Sequence, residues 1–414
     1  MLYRQHLLHE LTARREEFVR FERAWAEGAR ALAESLRALG GRTVVQIKNA
    51  AESELETGRA RAAGALPSSE LDEYRSVVVP FGERWGSHEA ARAWAAEVLR
   101  GRATCAADGS QILPGREISV PVAAVQVASF ENPHTPDGTS YRKEARFHLV
   151  TPHELTETGD NTAADVVGFR RFELELQALC EFCERHRGWR AVTGRRAPVA
   201  FFDGTLLLSS AQIRTESQFP REYIRATLDA VRLSRETEVP IVGFIDHSYA
   251  RDLVHLLGVL AGHGGGRAST ASLYDAQLFA SALENDEKLL AAWGNRTIFF
   301  HCLREGLTRD FRDERDQPLV GFLYLQTTGA GAPARLDIPA WVYEAGLLEE
   351  VSDAVRAECV VGNGYPYALE TADGAAVLTM QDREQFLRAV QDFAAEHDFS
   401  FRVSRKAVSK LRRR

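Results

Sequence analysis

Two acids stand where apolar, strand-forming runs break. Val199-Ala-Phe-Phe-Asp-Gly-Thr-Leu-Leu-Leu208 is interrupted once, by Asp203-Gly204. A second Asp-Gly lies 95 residues earlier, at Asp108-Gly109 within Thr104-Cys-Ala-Ala-Asp-Gly-Ser110. A carboxylate at such a break is held by apolar neighbours at a strand end. Two of them can share divalent metal at a phosphodiester-cleaving centre. A reading without chemistry stands beside this one. Asp-Gly is a preferred type I′ hairpin turn, which makes 199–202 and 205–208 the two strands of one hairpin.

Further acids fall on helical stretches. Residues 165 to about 187 carry helical periodicity, with Leu176, Leu179, Phe182 and Cys183 within about 80° of Phe172 on a helical wheel. Glu175 lies inside that apolar sector and Glu173 at its edge. A carboxylate on a buried face needs a partner or a metal, and Arg170 or Arg171 is the ordinary partner. Gly364-Tyr-Pro-Tyr-Ala-Leu-Glu-Thr-Ala-Asp373 opens at a Gly/Pro break and runs into a helix, with Tyr365 near its start and Asp373 further along. Asp108, Glu175, Asp203 and Asp373 thus supply two acids from strand ends and two from helices. Two-metal hydrolysis uses such a set: ions roughly 4 Å apart activate a water and stabilise the leaving oxygen. No short-range spacing ties the four together.

Other motifs are set aside on their own chemistry. Phe202-Asp-Gly-Thr-Leu206 looks like half of the haloacid-dehalogenase signature, but the nucleophilic Asp of that signature would stand where Phe201 is. Cys180-Glu-Phe-Cys183 has no second CxxC to complete a zinc site, so these are expected to be buried structural thiols. The glycine-rich stretch Gly262 to Thr270 lacks Gly-Lys-Ser/Thr and is no P-loop.

The elements that must position these acids read as an α/β core. Residues 4 to about 39 form one long helix with apolar positions at Leu11, Phe18, Phe21, Trp25, Leu32, Leu36 and Leu39, a stripe that must pack on its own domain or on a second copy of the chain. Helices follow over about 43–64 and 87–99. From residue 101 strands alternate with helices: 104–107, 118–130 with Pro121 near an edge or bulge, 141–150, the run ending at Asp203, 240–245, 297–300, 319–326 and 334–341 as strands. Residues 221–236, 253–260, 275–292 and 381–396 are the helices. This implies a mixed sheet flanked by helices, with a helical region at the N-terminus.

Composition is that of an ordinary globular protein, 45% hydrophobic and 26% charged. The N-terminus lacks a signal peptide's apolar core, and no apolar run reaches membrane-spanning length, so we expect a cytoplasmic protein without membrane contact. Net charge is −7, distributed unevenly. From Arg402 onward there are seven Lys/Arg and no acid, leaving 44 basic and 58 acidic residues elsewhere. A basic tail on an acidic body suits phosphate backbone or an acidic partner, or is simply a solvated end.

In order along the chain, Phe81-Gly-Glu-Arg-Trp85 with Trp94-Ala95, Ala107-Asp-Gly-Ser-Gln111 followed by Val120-Pro-Val-Ala, Arg171-Phe-Glu-Leu-Glu175, Phe202-Asp-Gly-Thr-Leu206, Gly243-Phe-Ile-Asp246, Gly294-Asn-Arg-Thr297, Ala334-Arg-Leu-Asp-Ile-Pro-Ala-Trp341 and Gly364-Tyr-Pro-Tyr-Ala-Leu369 resemble the NurA family, DNA-repair nucleases that work with the HerA translocase. The resemblance implies a ribonuclease-H-like core, a homodimer, and Mn²⁺- or Mg²⁺-dependent 5′-to-3′ exonuclease and single-strand endonuclease activity with two ions per site. It implies DNA and a HerA-type hexameric ATPase as partners. It places the metal set at Asp108, Glu175 (with Glu173 the alternative), Asp203 and Asp373, and a substrate- or water-orienting role at Tyr365. One departure stands out: the family usually has histidine eight residues after that tyrosine, where this chain has Asp373. Carboxylates alone suit hard cations, but an aspartate cannot donate a proton as imidazolium does. The rival expectation is a non-catalytic DNA-binding or regulatory subunit of the translocase. Ser110 is expected to meet a phosphate or cap a turn. On this reading residues 1–100 are a helical region for dimer or partner contacts, 101–400 the nuclease domain and 401–414 a basic tail.

Overall fold

The computed structural model describes residues 3–115, 118–135, 138, 140–156, 162–207, 219–262, 273–283, 287–304, 310–329, 331–397 and 399–402. The glycine-rich stretch from 263 and the basic tail from 403 lie outside the described residues. In chain order the strands are β1 (Gly64–Pro67), β2 (Val78–Val79), β3 (Thr104–Ile112), β4 (Ala123–Asn132), β5 (Arg142–Val150), β6 (Val199–Asp203), β7 (Ile241–Ile245), β8 (Arg296–Thr297), β9 (Phe300–Leu303), β10 (Val320–Leu325) and β11 (Ala334–Pro339). The chain divides into two compact units, Met1–Arg84 with Phe244–Ala340 and Trp85–Gly243 with Trp341–Arg414. The expected mixed α/β class, with helices at the N-terminus, is the class observed.

In the first unit β1, β9, β10 and β11 pair antiparallel in that order, and β8 joins β2 to β10. Every residue of β10 and β11 is buried, so both faces of these strands are covered. Into that interior the sequence places charge. Arg335 on β11 is wholly buried, with Nε donating to Asp337 Oδ1 at 2.7 Å and Nη1 to Asp252 Oδ2 at 2.8 Å. Arg304 donates to both Asp252 oxygens, at 2.9 and 2.7 Å. Asp275 accepts the N–H groups of Leu253 and Val254, in the first turn of the Asp252–Leu260 helix, where the helix leaves donors unpaired.

Several expected elements are corrected here. The N-terminal helix is two, Arg4–Ala13 and Arg15–Ala38, parted at Arg14, whose φ −106° and ψ 10° leave the helical well. Its C-terminal half buries Ala29, Ala33 and Leu36, while Leu7, Leu8, Leu11, Phe18 and Phe21 stay exposed. The helix opening at Thr43 stops at Glu56, because Gly58 turns left-handed (φ 72°), and Gly64 starts a strand instead. The helix expected over 275–292 ends at Ala280, where Ser281 becomes extended, and Leu283 and Leu290 are buried through non-helical chain.

The second unit holds β7, β6, β3, β4 and β5 in that spatial order, the first three residues of β7 belonging to it. β3–β4 and β4–β5 are antiparallel and β3–β6 is parallel. Three antiparallel strands with a fourth parallel to the first, on its outer side, is a ribonuclease-H-like order. The ladder of β4 begins at Ala123 rather than near Ile118, since Pro121 has no N–H to give it. The β3–β6 ladder runs only from Thr104↔Val199 to Ala107↔Phe202. Asp203 is the last residue of β6, and Gly204 follows at φ 140°, a conformation L side chains avoid. Thr205 to Leu207 are not strand, so the 199–208 run is not the hairpin that Asp-Gly permits. β3 therefore continues from Asp108 to Ile112 without β6 beside it. Helices Ala163–Arg185 and Tyr367–Ala376 pack on this sheet. No helix among the described residues is long and apolar enough to cross a membrane. Cys180 and Cys183 are free thiols, the first half-buried and the second buried.

Candidate active site

The acids meet where β6 ends. Cys105, Ala106 and Ala107 bury β3 in the core, and Asp108 is the first residue of the strand to reach half-exposure. On the neighbouring strand Phe201 and Phe202 are buried and Asp203 stands exposed just past them. Phe202 is fixed by an edge-to-face contact with Phe172 of the Ala163–Arg185 helix, 5.7 Å between centroids. That helix carries Glu175, 6% exposed, in the apolar sector its sequence assigns to it.

Gly109 admits the helix. A Cβ on Gly109 would lie 2.6 Å from Glu175 Oε1 and 2.6 Å from Arg171 Cγ, well inside van der Waals contact. A glycine after Asp108 is thus what allows a helical carboxylate to reach the strand. Glu173, the alternative ligand, accepts from Arg170 Nη1 at 2.6 Å and its side chain is 41% exposed. Glu175 is the helical acid that joins Asp108 and Asp203. Gly109→Ala is expected to push the Glu175 carboxyl away and to lower any metal-dependent activity at least about tenfold. It should also lower the melting temperature, since the added Cβ meets the Arg171 stem as well as the carboxyl at a buried position. Parallel cleavage and thermal-melt measurements check both halves.

Asp373 comes from the opposite side of β3. Its helix is clamped at both ends. At the start, buried Glu358 accepts the Ala368 N–H at 2.9 Å with one oxygen and the Thr104 hydroxyl at 2.8 Å with the other. At the end, Gln126 Nε2 donates to Ala376 O at 3.2 Å, and Ser110 Oγ accepts the Leu378 N–H at 3.2 Å. Ser110 therefore holds the chain that leaves the helix. Tyr365 is half-buried in the turn ahead of it, a turn made by left-handed Asn363 (φ 56°) and Gly364 (φ 108°).

The electrostatics record the crowding. Burial pushes the Asp108 carboxyl up to about 6, opposed by the Gly109 N–H and reinforced by a hydrogen bond to Asp373 and by the charges of Asp203 and Asp373. Burial pushes Glu175 up to about 8; Arg171 and the Gly109 N–H oppose this, and the charges of Asp108 and Asp203 add to it. Burial thus favours the protonated form of Glu175 in the metal-free chain. Its Oε1 is buried with no hydrogen-bond partner. Positive charge among these groups would favour all the ionised forms at once. An all-oxygen set with an orphaned buried acceptor fits a hard divalent cation. Among the described residues, no group of three or more His, Cys, Asp or Glu side chains is arranged to hold a metal ion, so the four acids neighbour one another without forming a ready-made metal cage.

A family model described as NurA domain matches residues 102–378, well over half of the sequence. The chain belongs to the NurA family. All five candidate residues lie within the NurA match. Among solved structures, this chain is similar to NurA with manganese at 9% identity over 71% of this chain and 89% of that one, with a TM-score of 0.38. It is similar to NurA bound to dAMP and manganese at 10% identity over 70% and 88%, with a TM-score of 0.33. An Argonaute from Aquifex aeolicus matches at 10% identity over 67% and 28%, with a TM-score of 0.27. No curated protein matches.

Two site contributors were missed in the sequence, Gly109 and Glu358. The signal for Gly109 was the acid-glycine pair itself, in which the glycine was given no role. For Glu358 it was a carboxylate in helical phase with Val351 and Val355, on a helix, Leu348–Val361, that was not anticipated at all.

Proposed function

We propose that this NurA-family chain is a metal-dependent deoxyribonuclease that hydrolyses phosphodiester bonds in DNA end processing. The observation that carries the reading is the convergence of Asp108, Glu175, Asp203 and Asp373 where β3 outruns β6. Asp108 and Asp203 would hold Mn²⁺ or Mg²⁺, with Glu175 and Asp373 completing the set. When bound, such ions activate water and stabilise the leaving oxygen of an in-line displacement. The chain's own residues do the rest. Gly109 and the phase of the 163–185 helix set Glu175 beside Asp108. Glu358, Gln126 and Ser110 hold the Asp373 helix against β3. Tyr365 orients substrate from the turn ahead of that helix. Asp373 acts as an acceptor alone, so the leaving oxygen takes its proton from solvent.

DNA ends, a HerA-type hexameric translocase, a homodimer and a cytoplasmic location belong to the same proposal. The dimer contact falls to the exposed apolar residues Leu7, Leu8, Leu11, Phe18 and Phe21, since an apolar face of this kind marks an interaction surface. Light scattering of the full chain is expected to give the dimer mass, and Phe18→Glu with Phe21→Glu the monomer. A monomeric wild type removes that assignment.

The test of the activity is incubation of end-labelled single- and double-stranded DNA with Mn²⁺, Mg²⁺ or EDTA. Cleavage that requires metal supports the nuclease. DNA that is bound but uncut under every metal, with or without translocase, supports a binding subunit.

A further inference from the structure

Glu175 Oε1 is not the only orphan in the cluster. Arg171 Nε is also buried without a hydrogen-bond partner. The two face each other at 3.4 Å, an ion pair by distance without hydrogen-bond geometry. A buried donor and a buried acceptor left unmade side by side are each costly, and a small rotation of either would pair them. Instead the Arg171 stem lies on Gly109 and Nη1 donates to Gly109 O at 3.3 Å, turning the fork aside. The Arg171 side chain is 42% exposed and the Glu175 side chain 7%. So the acceptor faces inward to the acids while the guanidinium reaches solvent at their edge.

We propose that Arg171 binds a phosphate oxygen of the DNA strand at the reacting bond, leaving Glu175 Oε1 to the cation. This rests on the nuclease reading. Nε is buried, so the exposed end of the guanidinium is what a phosphate oxygen can reach, while Glu175 Oε1 is the unmade acceptor left for a divalent ion. A guanidinium supplies the forked donors that phosphate geometry takes up, which an ammonium does not. In a chain of net charge −7, a cation beside four acids offsets the repulsion a polyanion meets there.

The experiment measures binding of a labelled single-stranded oligonucleotide by anisotropy in Ca²⁺ across a salt series, with Mn²⁺ binding followed separately by calorimetry. Arg171→Ala is expected to weaken DNA binding about tenfold and to lower the salt slope by about 0.7, while Mn²⁺ binding stays or tightens. Arg171→Lys should recover the slope but not the cleavage rate. Unchanged DNA affinity and slope in Arg171→Ala would overturn the proposal. So would a loss of Mn²⁺ affinity matching the loss of DNA affinity, since Arg171 would then only hold Glu175 in place. A wild-type chain that binds DNA without cutting it defeats the nuclease reading instead, and the salt slope still decides the phosphate contact.

Discussion

Asp203→Ala is expected to leave the protein folded and to lower DNA cleavage at least about a hundredfold. Loss of an outer-shell partner of a metal ligand commonly costs 10- to 100-fold, and Asp203 is assigned to the metal itself. The fold has little to lose. Asp203 is exposed at the tip of β6, and the apolar anchors Phe201 and Phe202 precede it, so the stability change should lie within about 0.5 kcal/mol of zero. Removing this charge also relieves Asp108 and Glu175, whose carboxyls it pushes up. Circular dichroism melting and a cleavage gel on the same preparation separate the two effects. A variant that melts normally and cuts like wild type would remove Asp203 from the centre.

The largest stability effect is expected in the other unit. Arg335→Leu should cost about 3–5 kcal/mol, the usual penalty for breaking a buried ion pair from one side. Arg335 serves Asp337 at 2.7 Å and Asp252 at 2.8 Å, lies 3.9 Å from Asp275, and stacks its guanidinium 3.9 Å from the centre of the Phe322 ring. Although burial pushes Asp252 up, Arg304 and Arg335 together hold it at about 2. Leucine supplies volume but no charge, so Asp252 keeps only Arg304, and Asp337 and Asp275 lose a cation in a water-excluded interior. Chemical denaturation would show the loss as a lower midpoint. A midpoint equal to wild type would mean that these acids are met by other groups.

What the sequence disclosed follows from what is local. Asp203 and Asp108 were visible because an acid ends an apolar strand run, and Glu175 because helical phase alone puts it on the buried side. Much of the order of α and β segments was legible from periodicity, but β1, β2 and the Leu348–Val361 helix were not. The hairpin at Asp203-Gly204 could not be excluded from sequence, because the parallel pairing of β6 with β3 joins residues 95 apart. Glu175 and Glu173 could not be separated either, because the choice rests on Gly109, 66 positions before Glu175 in the chain. Glu358, which ties Thr104 to Ala368, is the same kind of case. The helix expected through 292 failed for a different reason. Leu283 and Leu290 keep helical spacing but are buried by chain that turns at Ser281.

The measurement that bears most directly on the central claim is Mn²⁺ binding by isothermal titration calorimetry, comparing the wild-type chain with Asp108→Asn and Asp203→Asn. Saturable binding by the wild type, weakened at least about tenfold by either asparagine, is the predicted result, because each substitution removes an anionic ligand while keeping its shape. Mn²⁺ affinity that is the same in all three proteins, or no binding in the wild type, would contradict a metal centre built on these carboxylates.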